Sequence, residues 1–86
     1  QKEDDLQVIE GIGPKINLVL KNAGITTYTS IATMDIDQIK TILKAGNVRI
    51  FQPETWPEQA KLAAQGKWEE LKVFQNNIKA GKVVKS

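Results

Sequence analysis

Neither cysteine nor histidine occurs in this 86-residue chain. The first absence excludes a disulfide framework and any thiolate metal site. The second removes the commonest zinc ligand and the commonest general base. Aromatic residues make up 6% of the chain, so its 41% apolar content must build a mainly aliphatic core. At this length that core is thin, near the lower range in which a domain folds without staples. No apolar run approaches the ~20 residues needed to span a bilayer, and no signal-peptide pattern is visible. Charge of one sign is also scarce. Twelve basic and ten acidic residues leave a net charge of +2, far from the balance of a protein that holds nucleic acid by charge alone. The first residue is Gln1 rather than methionine, so the chain is read as a fragment of a longer polypeptide.

What the chain does contain is a concentrated turn signal, Ile9-Glu10-Gly11-Ile12-Gly13-Pro14-Lys15. Leu6 and Ile9 lead into it at helical spacing. Proline then stands at the first position of a second helix, where a missing N–H costs nothing. Ile16, Val19 and Leu20 form an apolar stripe behind it, and Asn22-Ala23-Gly24 closes the helix. The local expectation is helix, tight hairpin, helix, with unused backbone N–H groups at a helix N-terminus where a phosphate can sit.

Further along, Asp4 or Asp5 is expected to cap the first helix, and Thr26 or Thr27 a short helix carrying Tyr28, Ile31 and Ala32. Asp35 precedes an amphipathic helix, Ile36 to Leu43, which Gly46 should end. Residues 47–53 read as an irregular linker with Ile50 and Phe51 docked on the core. Thr55 and Glu58 have capping-box spacing for a helix running to Gly66. A last helix is expected from Lys67 to Ala80, with Trp68, Leu71, Phe74, Gln75 and Ile78 at helical spacing. No convincing strand and no fixed-period repeat is present. The fold class expected is all-α: one domain over 1–86, a compact bundle of five or six short helices. Its core would be residues 4–46, its C-terminal helical hairpin 54–81, and its frayed ends 1–3 and 82–86.

Leu6, Ile9, Gly11, Ile12, Gly13, Ile16, Val19 and Leu20, followed by Ala23-Gly24-Ile25, resemble the helix-hairpin-helix family of nucleic-acid-binding modules, which has a SAM-like helical fold. The resemblance covers residues 4–33 closely and 34–46 loosely. It implies contact with the phosphate backbone without sequence reading. The Gly11-Ile12-Gly13 turn would approach a phosphate, since a Cβ there would hold the strand away. Lys15 would support that contact. In some members hairpin carbonyls hold a monovalent cation; the matching oxygens are those of Gln7, Ile9 and Ile12. The pattern departs at Asn17, where a small residue is usual, and at Glu10, whose charge opposes a phosphate. Lys40 and Lys44 would extend the site as a basic rim, with Arg49 and Lys21 as further members. Residues from Ile36 through Asn47 and on past Thr55 read as a degenerate second motif lacking its second glycine. With the block from Thr55 to Trp68, the chain is similar to a C-terminal extension of some bacterial large-subunit ribosomal proteins, and to small proteins described as flap-endonuclease-like.

Catalysis is not expected. Asp4, Asp5, Glu10, Asp35, Asp37, Glu69 and Glu70 are explained by capping and solvation, with no cluster suited to Mg²⁺. The sequence therefore points to a non-enzymatic, cofactor-free, cytoplasmic monomer. Its partner would be DNA or ribosomal RNA, with a parent polypeptide or the ribosome as its setting and no membrane. The alternative is a protein–protein interaction module, marked by an exposed apolar patch around Phe51, Trp56 or Trp68. On residue type alone, both tryptophans read as core anchors.

Overall fold

The apolar stripe behind the turn forms a helix with the expected bounds, α1 (Pro14–Asn22), which buries Ile16 and Leu20. The computed structural model describes residues 3–79 and 82–83. It continues through α2 (Tyr28–Thr33), α3 (Ile36–Ala45), α4 (Trp56–Ala64) and α5 (Trp68–Asn76). The all-α expectation holds, with five α-helices among the described residues. α1 packs on α3, while α2 lies on α4, which also packs on α5. The small side chains Ala60 and Ala63, both buried, let α2 approach α4 closely. Leu6, Leu20, Ile31, Ile39, Leu43 and Trp56 are almost fully enclosed and join these layers into one core. α4 does not complete a second hairpin motif with α3, because its main neighbours are α2 and α5.

Several local expectations are corrected. The first helix is a single 3-10 turn, Leu6–Val8, in which Asp5 Oδ1 accepts the Gln7 N–H at 3.1 Å. Asp4 instead caps α2, accepting the Tyr28 N–H at 2.9 Å, next to the Thr27 hydroxyl, which accepts from Ser30 N–H. Gly46 is the C-cap of α3, as expected, and Asn47 after it takes the left-handed conformation, with φ 64°. Asparagine tolerates that region, and the following Val48 N–H closes back on Leu43 O at 2.9 Å. Gly46 is small for another reason: a Cβ there would stand 2.5 Å from Cγ1 of Val19 on α1. The capping box at Thr55 does not form. A preceding 3-10 turn, Pro53–Thr55, carries Thr55 into near-helical geometry, and its side chain makes no capping bond.

The last helix stops at Asn76, short of the expected Ala80. Ile78–Lys79 pairs antiparallel with Lys82–Val83, so the ends are not frayed throughout. At the other end Glu3 meets Lys21 at 3.0 Å. Ala80, Gly81 and the last three residues of the expected frayed end lie outside the described residues, as do Gln1 and Lys2. Trp56 is the core anchor expected of it, fully enclosed. Trp68 is not: it is 50% exposed and presents its ring edge-on to Tyr28, centroids 6.1 Å apart.

Tyr28, the sole tyrosine, sits at the junction of the N-terminal segment and α2, its hydroxyl donating to Asp5 O at 2.9 Å. Burial, then the charges of Asp4 and Asp5, raise its pKa above the ordinary 10.0. A pKa raised by folding means that the stabilisation is present below the unfolded value and lost as pH rises through the folded one. Stability should therefore fall above pH ~10, and Tyr28→Phe should flatten that fall. Absorbance titration of the phenolate beside pH-dependent thermal melts would check both.

Candidate nucleic-acid interface

The turn between the first 3-10 turn and α1 is built by two glycines with different roles. Gly11 has φ 106°, a backbone state that side-chain-bearing residues rarely adopt, so the turn itself requires glycine there. Gly13 has φ −96°, ψ −172°, open to any residue, and a Cβ added to it would meet nothing within 4 Å. Nothing among the described residues explains that glycine. Between them Ile12 is 4% exposed and anchors the turn to the core. Gly13 is also the N-cap of α1, with no side-chain capping bond and no acid in the first turn. The N–H groups of Gly11, Gly13, Lys15 and Ile16 find no acceptor among the described residues. They gather at the positive end of the helix.

The back of the turn is held by two amide side chains that the sequence reading missed as structural partners. Gln59 of α4 is fully buried. It accepts the Glu10 N–H at 2.7 Å and returns a bond from Nε2 to Glu10 O at 3.1 Å. The side-chain amide thus pairs with one residue's backbone as a neighbouring β-strand would. Nε2 also donates to Thr55 Oγ1 at 3.2 Å. Gln75 of α5 donates to Gln59 Oε1 at 2.9 Å and to Val8 O at 2.7 Å. The hairpin is therefore clamped from behind by the C-terminal helices. The Glu10 side chain remains exposed. Only a polar residue at a buried helical position could have signalled this, and Gln59 among Trp56, Ala60 and Ala63 is such a residue.

In front of the turn, an open groove of about 470 Å³ runs between residues 13–16 and 47–50. Lys15 and Arg49 are exposed along it, and the Lys15 ammonium reaches Asn47 O at 3.3 Å. Lys44, in the last turn of α3, is also exposed but does not line this groove. Lys40 does not line this groove; its ammonium lies 3.6 Å from Glu54. Lys21 is taken up by Glu3. Of the carbonyls matched to a monovalent cation, Ile9 O already accepts from Ile12 N–H at 3.1 Å. The intervening Val8 and Glu10 oxygens accept from the amide clamp. Asn17 Oδ1 is buried without a donor among the described residues.

Ile50, expected on the core, is 87% exposed; Phe51 beside it is half-buried. After the α3 cap the chain runs without regular structure, with Val48 buried as the inward anchor and Ile50 on the outside. Among the described residues no group of three or more Asp or Glu is placed to hold a metal ion, and no helix is long and apolar enough to cross a membrane.

Comparison with known proteins agrees with the helix-hairpin-helix resemblance. A family described as the RS2/RL21/YNQ2 HHH domain matches residues 6–64. A large ribosomal subunit protein bL21 from Chelativorans sp. (strain BNC1) is 39% identical over 62 residues, covering 72% of this chain and 28% of the relative. A bL21 from Ruegeria sp. (strain TM1040) is 43% identical over 63 residues, or 73% and 29%. A Paracoccus denitrificans protein named only as an uncharacterized 22.9 kDa protein in the nqo2 3′ region is 42% identical over 66 residues, or 73% and 30%. The chain thus spans under a third of the length of these relatives. No solved structure matches. Two of the relatives carry the names of ribosomal proteins rather than of enzymes, in line with a non-catalytic domain. The matched residues 6–64 include the turn, α1 and the Gln59 clamp, and the chain belongs to the RS2/RL21/YNQ2 HHH domain family.

Proposed function

We propose that this domain holds the sugar–phosphate backbone of a nucleic acid on the Gly11–Gly13 turn, without reading sequence, and that ribosomal RNA is its ligand in preference to DNA. The observation that carries this reading is Gly13, a glycine that neither backbone conformation nor packing requires. Its absent Cβ matters only to something arriving from outside. A phosphate there would accept the turn's N–H groups at the positive end of α1, flanked by Lys15 and Arg49, with the exposed Lys44 of the last turn of α3 as a further cation. Lys40, paired with Glu54, lies at the margin of such a site. The preference for ribosomal RNA, and with it a cytoplasmic setting, follows the names of the bL21 relatives. The domain acts as a monomeric accessory within a longer polypeptide, without catalysis or cofactor.

With about three cationic side chains at the site, binding should be weak, roughly micromolar or weaker at physiological salt, with a log–log salt slope of about −2 to −3. Titration of labelled structured RNA and duplex DNA at several salt concentrations reads both. Lys15→Glu should weaken binding about tenfold. No binding even at low salt, or full affinity in that variant, would overturn the assignment. A protein contact is the second reading. It is favoured by a groove of about 450 Å³ on α4 and α5, floored by Leu62, Val73 and Phe74 and edged by Glu58, Glu69 and Glu70.

A further inference from the structure

Ile50 lies between two grooves that both reach the glycine turn. One runs past Gly13, Lys15 and Arg49; the other is lined by Gly11, Ile50, Phe51 and Gln52. A fully paired duplex backbone offers charge and hydration to such a surface, and an 87% exposed isoleucine gains nothing from either. The helix amides, Lys15 and Arg49 call for an anion, while Ile50 and the half-buried Phe51 next to it call for an apolar face. A ligand presenting both within one groove's reach is a phosphate with its own base turned out of the stack. Unpaired nucleotides in loops and bulges present that combination, and RNA recognition commonly uses it.

Resting on the backbone-binding reading above, we infer that residues 49–51 form a nucleoside-binding ledge beside the turn: Arg49 on an adjacent phosphate, Ile50 and Phe51 against the face of an unpaired base. The preferred ligand is then a bulge, loop or single strand of RNA rather than a continuous duplex. Sequence is still not read, because every base has an apolar face. Ile50 carries most of the effect, since it is open to solvent and loses water contact as the base settles on it.

The test compares two labelled RNA hairpins of equal length, one fully paired with a capped tight loop and one with a three-uridine bulge, titrated by fluorescence anisotropy. The wild-type domain should bind the bulged RNA about fivefold tighter. In Ile50→Ser the ratio of the two affinities should fall to near one, and circular dichroism should show the fold intact, as the side chain is already exposed. Equal wild-type affinity for both RNAs, or a ratio that survives in Ile50→Ser, would overturn the inference. Gly13→Thr separates the two levels. If paired RNA binds but is indifferent to Gly13→Thr, the turn is not the phosphate site and the underlying reading fails. If paired RNA loses affinity in Gly13→Thr while the bulge preference is absent, only the ledge fails.

Discussion

Gln59→Leu should lower the stability of the domain by about 3 kcal/mol or more, seen as a fall in Tm of roughly 15 °C. Leucine matches the volume closely, so cavity formation is not the cause. The substitution strands the Glu10 N–H and C=O and removes one of the two acceptors of the Gln75 amide and one donor to Thr55 Oγ1, all at the back of the turn. Each stranded buried group costs about 1–3 kcal/mol, and partial relaxation toward water limits the sum. Gln59→Glu is the informative companion. At neutral pH a carboxylate can still accept from Glu10 N–H and from Gln75, but it cannot donate to Glu10 O. Burial raises the pKa of such a carboxyl, and the protonated form restores a donor. That variant should therefore be nearer to wild type in acid and lose stability as pH rises through its folded pKa. Thermal melts of both variants across pH would check this. Wild-type stability in Gln59→Leu would show that the clamp does not hold the turn.

Gly13→Thr is expected to act in the opposite way, sparing the fold and removing the ligand. Threonine is about as good an N-cap as glycine, the local φ and ψ suit it, and the position opens onto empty space. Loss of glycine also narrows the unfolded ensemble, so stability should stay within about 0.5 kcal/mol or rise slightly. The new side chain stands where a phosphate would approach, and its hydroxyl can take up a first-turn N–H that the phosphate would use. Losing one charge-assisted hydrogen bond, about 1.5–3 kcal/mol, predicts a roughly ten- to hundredfold weaker affinity for RNA. Calorimetric melts and binding titrations on the same preparation separate the two effects. Unchanged binding would remove Gly13 from the site.

Much of this was legible in the chain itself. The bounds of α1, the buried stripe of Ile16 and Leu20, the Thr27 cap and the all-helical class follow from spacing and capping chemistry. These depend on neighbours within one or two turns. What failed was the assignment of residues whose role lies across the fold. Ile50 was expected inside because it is apolar, yet only the path of the segment after Asn47 decides which face it takes. Gly46 ends α3 as its spacing says, but that it also faces Val19, 27 residues earlier in the chain, was not legible. Thr55 had the spacing of a cap, but the preceding 3-10 turn carried it into near-helical geometry. The last helix kept its periodicity beyond Asn76, where pairing of Ile78–Lys79 with Lys82–Val83 takes over the backbone hydrogen bonds.

The glycine turn shows the division most clearly. By itself the sequence determined that a hairpin forms at Gly11–Gly13 and that a helix begins at Pro14, because glycine, proline and apolar spacing act locally. Only the tertiary structure decided that Gly11 serves the turn while Gly13 serves no contact among the described residues. It alone brought Gln59 and Gln75 behind the turn from 49 and 67 residues away, and set Arg49 and Ile50 in front of it. Those placements depend on how α2, α4 and α5 pack, and close packing is a property of the whole core rather than of any segment.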